Sequence, residues 1–290
     1  MPARYRAQEI LAYHRRDPEG FSERVEGRSI TKGLVWNGAP AVLTLQLDTR
    51  RATAMLDIDG PAEPGADAKL ARLARRMLAL DQPIEAFART FRHDPLLGPV
   101  LTRFRGLRVA VTATPFEALV WAVTGQQISV RAAIALRRRM IAAAGIVHHS
   151  GLACHPDAAA LAAVSEPQLH AAGYSRTKAR TAAHLARSVA GGEIPLDAWT
   201  VDLPVERMRA TLVAVPGVGP WTVDYTLLRG YGWLDGSLEG DLAVRRALQA
   251  RLGRDQPVDV AETRNVLARY TPWRALAAAY LWASGSSADQ

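Results

Sequence analysis

The sequence predicts an α+β protein: a small N-terminal antiparallel sheet domain with helices over residues 1–88, then a mostly α-helical domain over residues 89–290. Two patterns carry that reading. Between residues 29 and 58, three short segments rich in Val, Thr, Leu and Ile are separated by turn residues. Beyond about residue 110, apolar residues recur at helical spacing between short loops marked by Gly and Pro. The chain is also long enough for real cores, with 49% hydrophobic residues among 290.

In order along the chain, residues 29–36, 41–47 and 52–58 are expected to form an antiparallel meander, with Asn37-Gly-Ala-Pro40 and Asp48-Thr-Arg-Arg51 as its turns. Residues 66–80 predict a helix, because Leu70, Leu73, Met77 and Leu80 share one face. A helix over 115–143 begins at Thr114-Pro115, where proline suits the first helical position, and Gly125 is the place for it to break or kink. Helices are then expected over 158–163, 166–171, 177–190, 204–213, 221–229, 242–252, 260–269 and 273–282. The stretch Gly191-Gly-Glu-Ile-Pro195 is read as a crossing between two helical halves, with the active site between them.

The net charge of +8 and a pI near 10.1 suggest an anionic partner. Residues 101–190 carry 11 Lys and Arg against 3 Asp and Glu, whereas residues 1–100 carry 15 against 13 and residues 191–290 carry 10 against 12. The excess therefore lies in the central segment, as a groove tracking phosphates requires. A single cysteine, Cys154, excludes an intrachain disulfide and fits a reducing compartment. No apolar run reaches the roughly 18 residues of a membrane span, and the N-terminus lacks a hydrophobic signal core. A soluble, cytoplasmic protein with no membrane association is expected.

The segment Val215-Pro-Gly-Val-Gly219 places a helix-stopping proline and two glycines between two helical patterns. A tight hairpin of this kind leaves the N–H groups of Gly217, Gly219 and Thr222 pointing outward, a seat for a phosphate that reads no base sequence. The same pentapeptide also occurs as an ordinary turn between helices. Asp241 adds weight, 22 residues after Gly219, at the N-cap of an apolar-periodic helix. As a plain cap it needs no function, and such caps are common.

Hairpin, tyrosine-bearing helix, glycine-rich loop and Asp-capped helix together resemble the helix-hairpin-helix DNA glycosylase superfamily. Gly125-Gln-Gln-Ile-Ser-Val130 and Tyr270-Thr-Pro-Trp-Arg274, leading to Trp282, make the chain similar to its AlkA-type 3-methyladenine DNA glycosylase II branch. The resemblance implies a catalytic role for Asp241, a base pocket walled by Trp221, Tyr225, Trp282 and Tyr13, and a wedge at Gln127 or Ile128. It also implies a sodium or potassium ion on the backbone carbonyls of Val213, Val215 and Val218. No cofactor is expected to be required. An iron–sulfur cluster is excluded by the lone cysteine, and the expected partner is double-stranded DNA with a damaged base, bound by a monomer.

Lyase-active members of the superfamily carry a lysine directly after the hairpin, where this chain has Trp221. Its three lysines are Lys32, Lys69 and Lys178, none of them after residue 178. A Schiff base needs an unprotonated amine beside the sugar, so hydrolysis is expected. A glycosylase for another lesion, such as hypoxanthine or a deaminated or oxidised base, and a hairpin module without catalysis remain alternatives. Arg131 and Arg137–Arg139 are candidates either for phosphate contacts or for a solvated helix face. His148, His149, Cys154 and His155 match no common zinc spacing and are read as a polar loop between helices.

Overall fold

The structure, a computed structural model, describes residues 1–2, 5–61 and 65–286. Helix α1 (Ala7–His14) precedes β1 (Glu23–Glu26), β2 (Ser29–Trp36), β3 (Ala39–Leu47) and β4 (Ala52–Ile58), and α2 (Ala66–Met77) follows. The strands pair antiparallel in sequence order. In β3, Ala41, Leu43, Leu45 and Leu47 alternate onto one buried face and share a core with Ile10 of α1 and Met77 of α2. Asn37 and Gly38 both adopt positive φ, 50° and 84°, in the two-residue turn between β2 and β3, whose twist matches the strands it joins. The expected meander is present. Its added edge strand β1, Glu-Arg-Val-Glu, has no apolar alternation and pairs Glu23 with Lys32 of β2.

The helical part consists of α3 (Ile84–Phe91), α4 (Gly98–Arg103), α5 (Pro115–Gly125), α6 (Val130–Ala144), α7 (Ala158–Ala162), α8 (Glu166–Ala171) and α9 (Arg176–Ala190). It continues through α10 (Trp199–Asp202), α11 (Val205–Val213), α12 (Pro220–Thr226), α13 (Leu242–Arg251), α14 (Val260–Ala268) and α15 (Arg274–Ser286). The helix expected over 115–143 is interrupted after Gly125, and Ser129 starts α6 by accepting the Ala132 N–H at 3.2 Å. The helix expected over 221–229 changes at Leu227 into a π-helical turn ending at Tyr231.

That turn is where the chain changes cores. Leu227 is buried with α5–α9, whereas its neighbour Leu228 is buried with α3, α4 and α13–α15. The crossing expected at 191–195 is displaced, because Ile194 and Leu196 stay in the first of these cores. The boundary placed at residue 88 falls inside α3, whose Ile84 and Phe87 pack with Tyr280 of α15 rather than against the sheet. Between the two helical cores lies a small cluster of Trp121, Ala122, Ala133 and Tyr225, flanked by Trp221 and Trp282.

The sheet docks on the helices through close backbone approach and buried charge. A Cβ on Gly33 would lie 2.2 Å from the Ala153 carbonyl oxygen, so only glycine lets β2 run against residues 153–155. There the His155 N–H donates to the Gly33 carbonyl at 3.0 Å. Beside it, Lys32 of β2 donates to Glu23 and, at 2.7 Å, to Glu117 of α5, while Arg137 of α6 donates to the same two carboxylates at 2.8 and 2.9 Å. All four side chains are buried. Arg137 therefore reaches neither phosphate nor solvent, and Arg138 pairs with Asp17 and Glu19.

Candidate nucleic-acid interface and active site

The hairpin joins α11 to α12. Gly217 has φ +90°, and a Cβ there would sit 2.3 Å from Thr181 Oγ1, which donates to the Pro216 carbonyl at 2.9 Å. Both the backbone angle and the α9 contact exclude a side chain. Gly219 is different: its φ is −104°, and nothing lies within 4 Å of a Cβ built on it. Its missing side chain leaves open space outside the turn. Among the described residues, no acceptor takes the N–H of Gly217, Gly219, Trp221 or Thr222. Val213 closes α11, the Val218 N–H donates to the Val215 carbonyl at 3.0 Å, and the side chains of Val215 and Val218 are buried.

The Thr222 hydroxyl is buried and accepts from Gln126 Nε2 at 2.9 Å, and the same amide donates to the Gly217 carbonyl at 2.9 Å. Gln126 thus ties the α5–α6 connection to the hairpin. Lys178 Nζ donates to the carbonyls of Thr124 and Gln126, at 2.8 and 2.6 Å, and fastens the end of α5. Burial lowers the Lys178 pKa from its ordinary value. On the rigid platform so formed, Gln127 takes φ +57° and projects with Ile128 into solvent. A left-handed angle is strained for glutamine and persists only where the surroundings enforce it. Neither Gln126 nor Lys178 has a sequence signal for its role, since both act through backbone carbonyls distant along the chain.

Asp241 caps α13 with Oδ1 accepting the N–H groups of Ala243 and Val244 at 2.9 and 3.0 Å. Two indoles complete its shell: Trp282 Nε1 donates to Oδ1 and Trp221 Nε1 to Oδ2, each at 3.0 Å. Oδ1 is saturated by three donors, whereas Oδ2 takes one and keeps lone-pair capacity. Each indole comes from a different helix, α12 or α15, so three elements fix the carboxylate. The cap was legible from sequence, but the indole clamp was not, because nothing in the spacing of Trp221, Asp241 and Trp282 announces it.

Trp221 and Tyr225, one helical turn apart on α12, lie with ring centroids 5.2 Å apart, and Tyr225 is 6.5 Å from Trp282. Burial, the largest influence, raises the Tyr225 phenol and keeps it neutral. Tyr13 of α1 is flanked by two guanidinium groups, Arg16 at 4.0 Å and Arg229 at 4.6 Å from its ring centroid. Arg16 also stacks 4.0 Å from Trp121, an aromatic of this cluster that sequence reasoning did not single out. A cavity of about 400 Å³ opens beside Tyr13, Arg229 and Trp282, and Asp241 is not in its lining.

Fold and site together define an α+β protein whose helical part offers hairpin amides that no acceptor takes among the described residues, next to a clamped carboxylate in an aromatic cluster. The chain belongs to the HhH-GPD superfamily of base excision DNA repair proteins, whose family model matches residues 120–271. It is 34% identical over 215 residues to the probable bifunctional transcriptional activator/DNA repair enzyme AlkA of Mycobacterium tuberculosis, covering 72% of this chain and 41% of that protein's length. It is 29% identical over 243 residues to the DNA-3-methyladenine glycosylase 2 of Escherichia coli, covering 83% of this chain and 80% of the relative. The fold is similar to that of the 3-methyladenine DNA-glycosylase from Archaeoglobus fulgidus, with a TM-score of 0.80 at 21% identity, covering 97% and 96% of the two chains. Among the described residues, no helix is long and apolar enough to cross a membrane.

Proposed function

We propose that the protein is a monofunctional DNA glycosylase that flips an alkylated purine of the 3-methyladenine type out of duplex DNA and hydrolyses its N-glycosidic bond. The observation that carries this reading is the Asp241 carboxylate, held by two indoles and a helix cap with Oδ2 still able to accept. As the bond lengthens, positive charge grows on the sugar, and Oδ2 stabilises it and orients a water. An alkylated purine is a cationic leaving group, so one carboxylate suffices. Trp221, Tyr225 and Trp282 offer faces for the extruded base, while Gln127 or Ile128 fills the gap in the duplex. A base-release assay across duplexes carrying different lesions tests the reading. Absence of release from every alkylated substrate would refute it.

A second reading has its own support. Arg16 and Arg229 place two cations around Tyr13, and Nε and Nη2 of Arg16 find no hydrogen-bond acceptor among the described residues. Cations beside the base disfavour a cationic lesion and favour a neutral, carbonyl-bearing one such as hypoxanthine. Release of hypoxanthine in preference to 3-methyladenine in the same assay would select this alternative.

The hairpin serves affinity. Its free N–H groups seat a phosphate of double-stranded DNA gripped by a single copy of the chain. The Val213, Val215 and Val218 carbonyls are the atoms that would hold a sodium or potassium ion there; the carbonyl of Val215 that accepts the Val218 N–H keeps a second lone pair. Gly219→Val adds bulk on a Cβ position that meets nothing within 4 Å. Binding to damaged and undamaged duplexes should weaken alike, with the salt slope shallower by about one unit for each lost phosphate contact. Fluorescence anisotropy over a salt series measures this. A loss confined to damaged DNA would place Gly219 in the base pocket instead.

Hydrolysis without strand cleavage gives a third test. Incubation with damaged DNA and borohydride should trap no covalent adduct, and product strands should stay intact until alkali is added. Lys32 is consumed in the buried ion network, and Lys178 donates to two carbonyls. A nucleophilic amine must be unprotonated, with its lone pair free. An adduct that disappears in Lys178→Ala would overturn the hydrolytic assignment.

A further inference from the structure

After α6, residues 146–155 fold back on themselves, with Cys154 N–H donating to the Ile146 carbonyl and His148 N–H to the Leu152 carbonyl. This places His148 and His149 against the end of β4, where Asp57 and Asp59 emerge. One nitrogen from each histidine and one Asp57 oxygen all lie within 4.8 Å of one another. His148 Nε2 is 3.7 Å and His149 Nε2 is 3.5 Å from Asp57 Oδ2, and His148 Nε2 is 3.4 Å from Asp59 Oδ1. Ligands about 2.0–2.2 Å from a tetrahedral zinc ion stand roughly 3.4 Å apart, close to these separations.

The second set of contacts matches what metal-bound histidines require. A ligating imidazole holds its other nitrogen to a carboxylate or hydroxyl, which fixes the ring. His149 Nδ1 is bonded to Asp59 Oδ1, and the His149 N–H donates to Asp59 Oδ2 at 2.9 Å. His148 Nδ1 lies 2.9 Å from Ser150 Oγ, with the Ser150 N–H at 3.2 Å, so Ser150 offers that nitrogen both an acceptor and a donor. Both Nε2 atoms then face Asp57. His148 is 1% exposed, and its Nε2 has no hydrogen-bond partner among the described residues, although two carboxylates lie before it. A buried imidazole nitrogen left unpaired in front of anions is costly without a cation between them.

We propose that Asp57, His148 and His149 bind a divalent ion of the zinc class, with Asp59 and Ser150 orienting the two imidazoles. The ion staples the end of β4 to the 146–155 loop, and so the sheet to the helical part. Its remaining coordination position is open to water, because Asp57 and His149 are exposed. The site shares no residue with the Asp241 site.

The test uses the full chain, freed of metal with a chelator and then titrated with zinc chloride or cobalt chloride. One equivalent should bind, with the visible absorption of low-coordinate cobalt, and zinc should raise the thermal midpoint in a concentration-dependent way. Asp57→Asn and His149→Ala alter exposed side chains and should each weaken zinc binding at least about tenfold. His93→Ala, at an exposed histidine elsewhere, should not. Absence of stoichiometric binding, or equal affinity in the wild type and both site variants, would overturn the proposal and leave protons alone to hold the cluster.

Discussion

Asp241→Asn should lower single-turnover base release by at least about 10²–10³-fold, the loss typical when one preorganised electrostatic group is removed. Duplex affinity should stay close to wild type, because the substitution leaves the hairpin amides proposed to seat phosphate untouched. The substitution is gentle in shape. An amide oxygen in the Oδ1 position keeps the bonds to Ala243, Val244 and Trp282, so α13 keeps its cap. The amide nitrogen in the Oδ2 position, however, meets the Trp221 Nε1–H as donor against donor across 3.0 Å. Leaving that indole unpaired should cost about 1–3 kcal/mol of stability, visible as a lower thermal midpoint. Base release near the wild-type rate would sink the mechanism, since the carboxylate would then not be the group that meets the sugar. Loss of release together with loss of DNA binding would instead show a collapsed interface.

Arg137→Met is expected to be the most destabilising single change. It removes one of two cations shared by Glu23 and Glu117 in a buried network, leaving two carboxylates on Lys32. Breaking a buried ion cluster by deleting one partner typically costs about 3–5 kcal/mol, because the remaining charge is stranded away from water. Urea denaturation measures the loss. Adding Glu117→Gln to the variant should recover part of it by removing one stranded charge, and an Arg137→Met protein as stable as wild type would show that the network does not hold the sheet to the helices.

The same network predicts acid lability. Burial alone would raise both carboxyls, but Lys32 and Arg137 outweigh it and hold them low, Glu117 at about 2. A carboxyl depressed in the folded state binds fewer protons than in the unfolded chain. Its stabilisation is complete above about 4.5 and is lost as the pH falls towards about 2. His155, pushed down to about 4 by burial, adds a loss between about 6.5 and 4, because the unfolded chain takes its proton first. Asp224 opposes this over part of the range, since burial raises it to about 6 despite Arg209. The urea midpoint should therefore fall most steeply below about pH 4, where the His155 and Asp224 contributions have run out and the glutamates dominate the slope.

Much of the site was readable because its signals are local. The hairpin lies within a few consecutive residues, an N-cap acid acts on amides two and three residues on, and the period-two alternation of β3 exposes its buried face directly. The absence of lysine after residue 178 is likewise a property of the chain order. Short elements were harder. β1 has charged residues where a strand usually alternates, and α4 is six residues beginning Gly-Pro, too short to display a face. The π-helical turn that sends Leu227 and Leu228 into different cores has no periodicity of its own.

Three arginines in a row at 137–139 show where pattern fails. Their environments range from full burial to exposure because β1 and β2 bring Glu23 and Lys32 against one side of α6 alone. His148 and His149 likewise acquire acidic neighbours some ninety residues upstream, which no spacing rule connects. Side-chain chemistry and local backbone preference are encoded residue by residue, and they specified the longer elements, the hairpin and the Asp241 cap. Which charges are desolvated, which indoles clamp Asp241 and which distant carboxylates face an imidazole depend on elements meeting in space. Burial and Coulomb energy act on distance rather than on sequence separation, so these were settled when the sheet and the two helical cores packed together.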